Sequence, residues 1–79
     1  MIVNVKLFAT LTRFKSGVKA GYSFDMDLPD PATAQEIIDR LKIPVEEIHI
    51  VFVNNVIQAS SVKLQAGDVV GIFPPVGGG

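Results

Sequence analysis

The stretch Tyr22-Ser23-Phe24-Asp25-Met26-Asp27-Leu28, then Pro29-Asp30-Pro31, then Thr33-Ala34-Gln35-Glu36-Ile37-Ile38-Asp39-Arg40-Leu41, sets the architecture of this 79-residue chain. Its first part alternates strictly. Tyr22, Phe24, Met26 and Leu28 share one face, the pattern of a strand with one side buried. Two prolines end it, because each lacks a backbone donor and fixes φ. In the second part Ala34, Ile37, Ile38 and Leu41 recur at i, i+3, i+4 and i+7, a stripe for packing a helix on a sheet. Gln35, Glu36, Asp39 and Arg40 face water, and Glu36–Arg40 is an i, i+4 ion pair. Thr33 and Glu36 have the spacing of a capping box, in which the hydroxyl accepts the Glu36 amide and the carboxylate reaches back. Pro44 stops the helix after Ile43, and Pro44-Val45-Glu46-Glu47 reads as one further turn with Pro44 at its first position.

Working outward, residues 2–8 place Val3, Val5 and Leu7 on one face and Ile2, Asn4, Lys6 and Phe8 on the other. The glycine-containing loop 15–21 between this strand and the next predicts an antiparallel hairpin. Beyond the helix, Ile48 to Val53 reads as a strand, nearly all apolar and so central or covered on both faces. Asn54-Asn55 is a turn signal, since Asn tolerates positive φ, and a short strand follows around Val56-Ile57-Gln58. Leu64 is a core anchor, Ala66-Gly67-Asp68 a turn, and Val69 to Phe73 the last strand. Strand, strand, helix, strand, short strand, strand is an α+β order, with one main helix on one face of a sheet of four to five strands. This order resembles the ubiquitin-like β-grasp, and that resemblance implies a mixed sheet with the first and last strands parallel and adjacent at its centre.

Composition narrows the function. A chain this short buries only about 60% of its unfolded surface, so it forms one modest core with little room for a deep cleft. Hydrophobic content of 48% argues against disorder. No cysteine is present, which removes disulfides, thiolate metal sites and catalytic thiols, and suits a cytoplasmic protein. The amino terminus, Met1 to Lys6, lacks the regions of a signal peptide, and no apolar run reaches the roughly 18 residues of a membrane span. A formal charge of −1 leaves no footprint for nucleic acid, and Arg13, Lys15 and Lys19 read as a solvated loop.

Catalytic chemistry is hard to find. His49 is the one histidine, it lies inside an apolar run, and no partners accompany it at metal or acid–base spacing. Asp25 and Asp27 sit on the polar face of their strand. Gly17-Val18-Lys19-Ala20-Gly21 lacks phosphate-loop spacing, and no nucleophile motif occurs. The chain therefore reads as a partner or substrate, with no bound cofactor.

The end of the chain is the exception. Ile72-Phe73-Pro74-Pro75-Val76-Gly77-Gly78-Gly79 runs from an apolar strand through two stiff prolines to three glycines. The expected division is a globular domain over 1–73 and a flexible tail over 74–79. That tail reaches roughly 20 Å at about 3.3 Å per residue, and it suits insertion of a bare backbone into a narrow slot. The terminal carboxylate of Gly79 is ionised at neutral pH and is a poor electrophile. Only activation by another protein, as an acyl-adenylate, makes it transferable to sulfur or to an amine.

The segment Gly67-Asp68-Val69-Val70-Gly71-Ile72-Phe73-Pro74-Pro75-Val76-Gly77-Gly78-Gly79 resembles the closing motif of the sulfur-carrier family that includes the small subunit of molybdopterin synthase. Every fixed position of G-D-x-V-x-x-F-P-P-V-x-G-G is matched, and Val5-Lys6-Leu7-Phe8-Ala9 and the Val53-Asn54 hairpin are similar too. The resemblance implies that Gly79, preceded by Gly78, is adenylated by an E1-like adenylating enzyme using ATP and becomes a thiocarboxylate. The large subunit of molybdopterin synthase would then receive the sulfur. It also implies a partner-binding patch of Phe8, Ile57 and Phe73, continued by Pro74, Pro75, Val76 and Gly77. Alternatives are a sulfur carrier for thiamine or tRNA thiolation, a ubiquitin-like protein modifier, and a binding module with an inert tail.

Overall fold

Alternation along Ile2–Leu7 turns Val3, Val5 and Leu7 into the core of the computed structural model, which describes residues 1–75. This strand, β1, is followed by a 3-10 helix over Ala9–Phe14, β2 at Ser23–Asp27 and helix α1 at Ala34–Leu41. A 3-10 turn at Val45–Glu47, β3 at Ile50–Val53, β4 at Val56–Gln58 and β5 at Val69–Phe73 complete the order. The five strands form one mixed sheet in the order β2-β1-β5-β3-β4. Strands β1 and β5 are parallel and the other pairings antiparallel. This is the β-grasp order that the fold resemblance implied, with the last strand at the centre of the sheet.

One face of the sheet carries the core. Val3, Val5, Leu7, Val51, Val53, Val70 and Ile72 meet Ala34, Ile37 and Ile38 of α1, all less than a tenth exposed. Each such valine, leucine or isoleucine contributes about 1.5–3 kcal/mol through burial and the Ala34 methyl less, so this layer carries much of the fold's stability. Helix α1 closes at Lys42, whose φ of 58° is left-handed, and the Ile43 amide donates to the Ile38 carbonyl at 3.1 Å. Asn54 and Asn55 adopt φ of 51° and 68°, as a two-residue hairpin loop requires.

Several expectations need correction. The capping box does not form: the Thr33 hydroxyl makes no cap bond, and the Glu36 carboxylate accepts from Arg40 Nε at 3.2 Å. Thr33 is held instead by a bridge to Lys63. Tyr22 is 69% exposed, because β2 begins only at Ser23 after the turn at Gly21. The third strand starts at Ile50, leaving His49 outside it and exposed. The reason lies in the ladder: Ile50 pairs with Phe73, the last residue of β5, the His49 amide donates to the Phe73 carbonyl at 2.8 Å, and Pro74 cannot donate beyond it. Nor is β3 covered on both faces, since Ile50 and Phe52 are half-exposed on the side away from α1. Pro44 flanks its turn with extended ψ of 141° and is not the first helical residue.

Residues 9–14 are the larger surprise. They form a 3-10 helix whose Leu11 is fully buried. Arg13 of that helix pairs with Glu47 and lies 4.7 Å from the Phe14 ring centroid, while Lys15 sits 5.6 Å from that of Phe24. These cations are engaged with neighbours, not merely solvated.

Candidate docking face

The sheet surface opposite α1 is built by the residues that alternation turns outward. Strand β2 gives Ser23, Asp25 and Asp27, and β1 gives Asn4, Lys6 and one exposed apolar residue, Ile2, so this half is mostly polar. Strands β5, β3 and β4 give Val69, Gly71, Phe73, Ile50, Phe52 and Ile57, so the other half is apolar. The boundary runs along the parallel pairing of β1 with β5, where Lys6 stands beside Gly71.

Phe8 joins the apolar half from the end of β1. Its amide donates to the Ile72 carbonyl at 3.2 Å, and the chain then turns at Ala9, φ 52°, into the 3-10 helix. The Phe8 and Phe73 rings stack with centroids 4.0 Å apart and planes 6° from parallel. Phe52 meets Phe73 edge-on at 5.3 Å. Each such aromatic pair adds about 0.5–1.5 kcal/mol beyond its area. Together the rings border an open recess of about 200 Å³, completed by Lys6, Asn55, Val69 and Gly71.

The floor depends on Gly71. A Cβ there would stand 3.3 Å from Phe8 Cε2 and 3.8 Å from Phe73 Cε2. A methyl there would press the Phe8 ring back by a few tenths of an ångström while only touching Phe73, and a larger side chain would reach into the recess. Across the ring, Gly21 donates its amide to the Leu7 carbonyl at 3.0 Å and brings backbone close to Phe8 Cε1.

The base of the recess is braced from one end by a polar knot. Asn54 Oδ1 accepts from the Val69 amide at 3.0 Å, and Asn54 Nδ2 donates to Asp68 Oδ1 at 3.0 Å. Asp68 Oδ2 accepts from the Gln65 amide at 2.8 Å. This ties the β3–β4 turn to the start of β5, fixing Asn55 and Val69 on the recess wall.

The structure thus brings Phe8 and Phe73 into contact. It places Ile57 on the same face, opposite Phe52 in register and 63% exposed, but outside the recess itself. Pro74 and Pro75 continue directly from β5. Val76, Gly77, Gly78 and Gly79 lie outside the described residues. Sequence reasoning missed Phe52, hidden in an all-apolar run, and Gly71. The signal for Gly71 was its place in the outward register between Val69 and Phe73. Among the described residues no group of His, Asp or Glu is arranged to hold a metal ion, and no helix is long and apolar enough to cross a membrane. The face is suited to contact with a protein.

Comparison with known proteins agrees with this geometry. The ThiS family model matches residues 5–79. No curated protein matches the chain. Among solved structures, SAMP1 from Haloferax volcanii is similar over all of both chains, with 26% identity and a TM-score of 0.76. A Pyrococcus furiosus chain described as a candidate molybdopterin converting factor subunit 1 is 27% identical. The match covers 96% of this chain and 99% of that one, with a TM-score of 0.75. A chain from the complex of subunits 1 and 2 of molybdopterin-converting factor from Helicobacter pylori shares the fold at 23% identity, TM-score 0.62, over all of both chains. A family match across nearly the whole length, on a β-grasp sheet of the expected order, establishes that the chain belongs to the ThiS family of ubiquitin-like sulfur carriers.

Proposed function

We propose that this protein carries sulfur on the carboxyl group of Gly79, as the small subunit of a molybdopterin synthase acting in the cytoplasm. An E1-like enzyme would supply the activation: the Gly79 carboxylate attacks the α-phosphorus of ATP, pyrophosphate leaves, and an acyl-adenylate forms. A sulfur nucleophile then displaces AMP, leaving a thiocarboxylate that donates its sulfur to a pterin precursor held by the large subunit. Gly78 and Gly77 give the slim backbone such a slot requires, and Pro74 and Pro75 stiffen its base. No cofactor is needed on this chain.

The observation that carries the reading is the position of the aromatic face. Phe73 belongs both to the stacked patch and to the strand that runs into Pro74-Pro75 and the tail. Strand β5 is hydrogen-bonded on both edges at the centre of the sheet, so the tail starts from a firmly held strand. A partner gripping Phe8, Ile57 and Phe73 would receive the tail in a fixed direction. Incubation with ATP, a sulfide donor and the activating enzyme should exchange one oxygen for sulfur in the intact mass. An unchanged mass contradicts the proposal.

A second reading has its own support. Two of the similar structures are small archaeal modifier protein 1 of Haloferax volcanii, at 26% and 24% identity. Modification would use the same adenylate, attacked by a lysine amine in place of sulfur. Isopeptide conjugates through Gly79 in the producing cell would support it.

A further inference from the structure

We propose that Gly71 and Lys6, neither of them part of the aromatic patch, determine which enzyme surface docks on this face. The inference rests on the carrier reading above and extends it to the chemistry of the partner. Gly71 lies in the middle of the central strand, where glycine weakens pairing and packs nothing. Its backbone makes no demand for glycine, since its φ is not positive. What it supplies is space: the volume a side chain would take is the recess beneath Phe8 and Phe73.

That recess is lined mainly by apolar residues, with Asn55 on its wall and one charged residue, Lys6, beside Gly71 in register. Lys6, like Lys15, Lys19, Lys42 and Lys63, forms no ion pair among the described residues, but it alone of these five lines the recess. An apolar hollow with an unneutralised ammonium at its rim complements one arrangement. The occupant is a large apolar side chain, leucine- or phenylalanine-sized, on the activating enzyme, with an aspartate or glutamate next to it facing Lys6. The apolar contact excludes water, and the charge pair fixes orientation and speeds encounter.

The test is ATP–pyrophosphate exchange by the E1-like enzyme of the same organism, with this chain as the varied substrate. Gly71→Leu should raise KM at least about tenfold and leave kcat unchanged, the mark of lost docking with intact chemistry. Lys6→Glu should also raise KM, and Lys6→Met should abolish the salt dependence of KM seen with the wild type. Thermal unfolding verifies that each variant is folded. If Gly71→Leu is not, Gly71→Ala takes its place, with a smaller rise expected. Wild-type KM values for both folded Gly71 and Lys6 variants overturn this inference while leaving the carrier reading intact. Absence of exchange with the wild-type chain removes both.

Discussion

Phe8 and Phe73, from opposite ends of the chain, stack ring on ring at 4.0 Å on a surface that faces away from the core. Parallel pairing of β1 with β5 brings them together, and Gly71 leaves room for the pair to lie flat. Because both rings remain partly exposed on the face away from the core, their removal should affect binding more than folding. Phe73→Ala should weaken the complex with the activating enzyme by about 2 kcal/mol or more. A double-mutant cycle with Phe8→Ala in urea unfolding should show a coupling of about 0.5–1.5 kcal/mol.

Leu11 should behave in the opposite way. It is fully buried under the 3-10 helix, away from the aromatic face. Leu11→Ala should destabilise the fold by about 2–5 kcal/mol in urea unfolding and leave partner affinity of the folded fraction unchanged.

The Asn54-Asn55 turn separates backbone need from side-chain need. Both residues have positive φ, but Asn54 also holds Asp68 and the Val69 amide. Asn54→Gly should therefore cost about 1–2 kcal/mol, through the lost bonds. Asn55→Gly should be neutral or slightly stabilising, since glycine suits that position. Equal effects in the two variants contradict the knot's role.

Thr33 tests the failed capping box. A working threonine cap is worth roughly 1 kcal/mol, yet this hydroxyl makes no cap bond. Thr33→Ala should change urea stability by less than about 0.5 kcal/mol.

These cases show where the sequence was legible. Strand faces followed from alternation because each strand has one buried side: Val3, Val5 and Leu7 could be placed without any knowledge of their partners. The helix and the Asn54-Asn55 turn were equally local. Residues 9–14 were not, because a 3-10 helix this short has no usable 3.6-residue period, and Leu11 is its only buried side chain. The recess could not be seen either. It arises where Lys6, Gly71 and Phe52 come into register across three strands, and that register is set by non-local pairing. Thr33–Glu36 shows the reverse error, a correct local spacing overridden by the bridge to Lys63 and the pull of Arg40.

The central claim, that the reacting group is the main-chain carboxyl of Gly79, is tested most directly by adding one alanine after Gly79. The extended protein should unfold at the wild-type temperature and show no oxygen-for-sulfur exchange by intact mass after incubation with ATP, sulfide donor and activating enzyme. Full sulfur loading of the extended chain, with its mass proving the alanine still attached, would contradict the account.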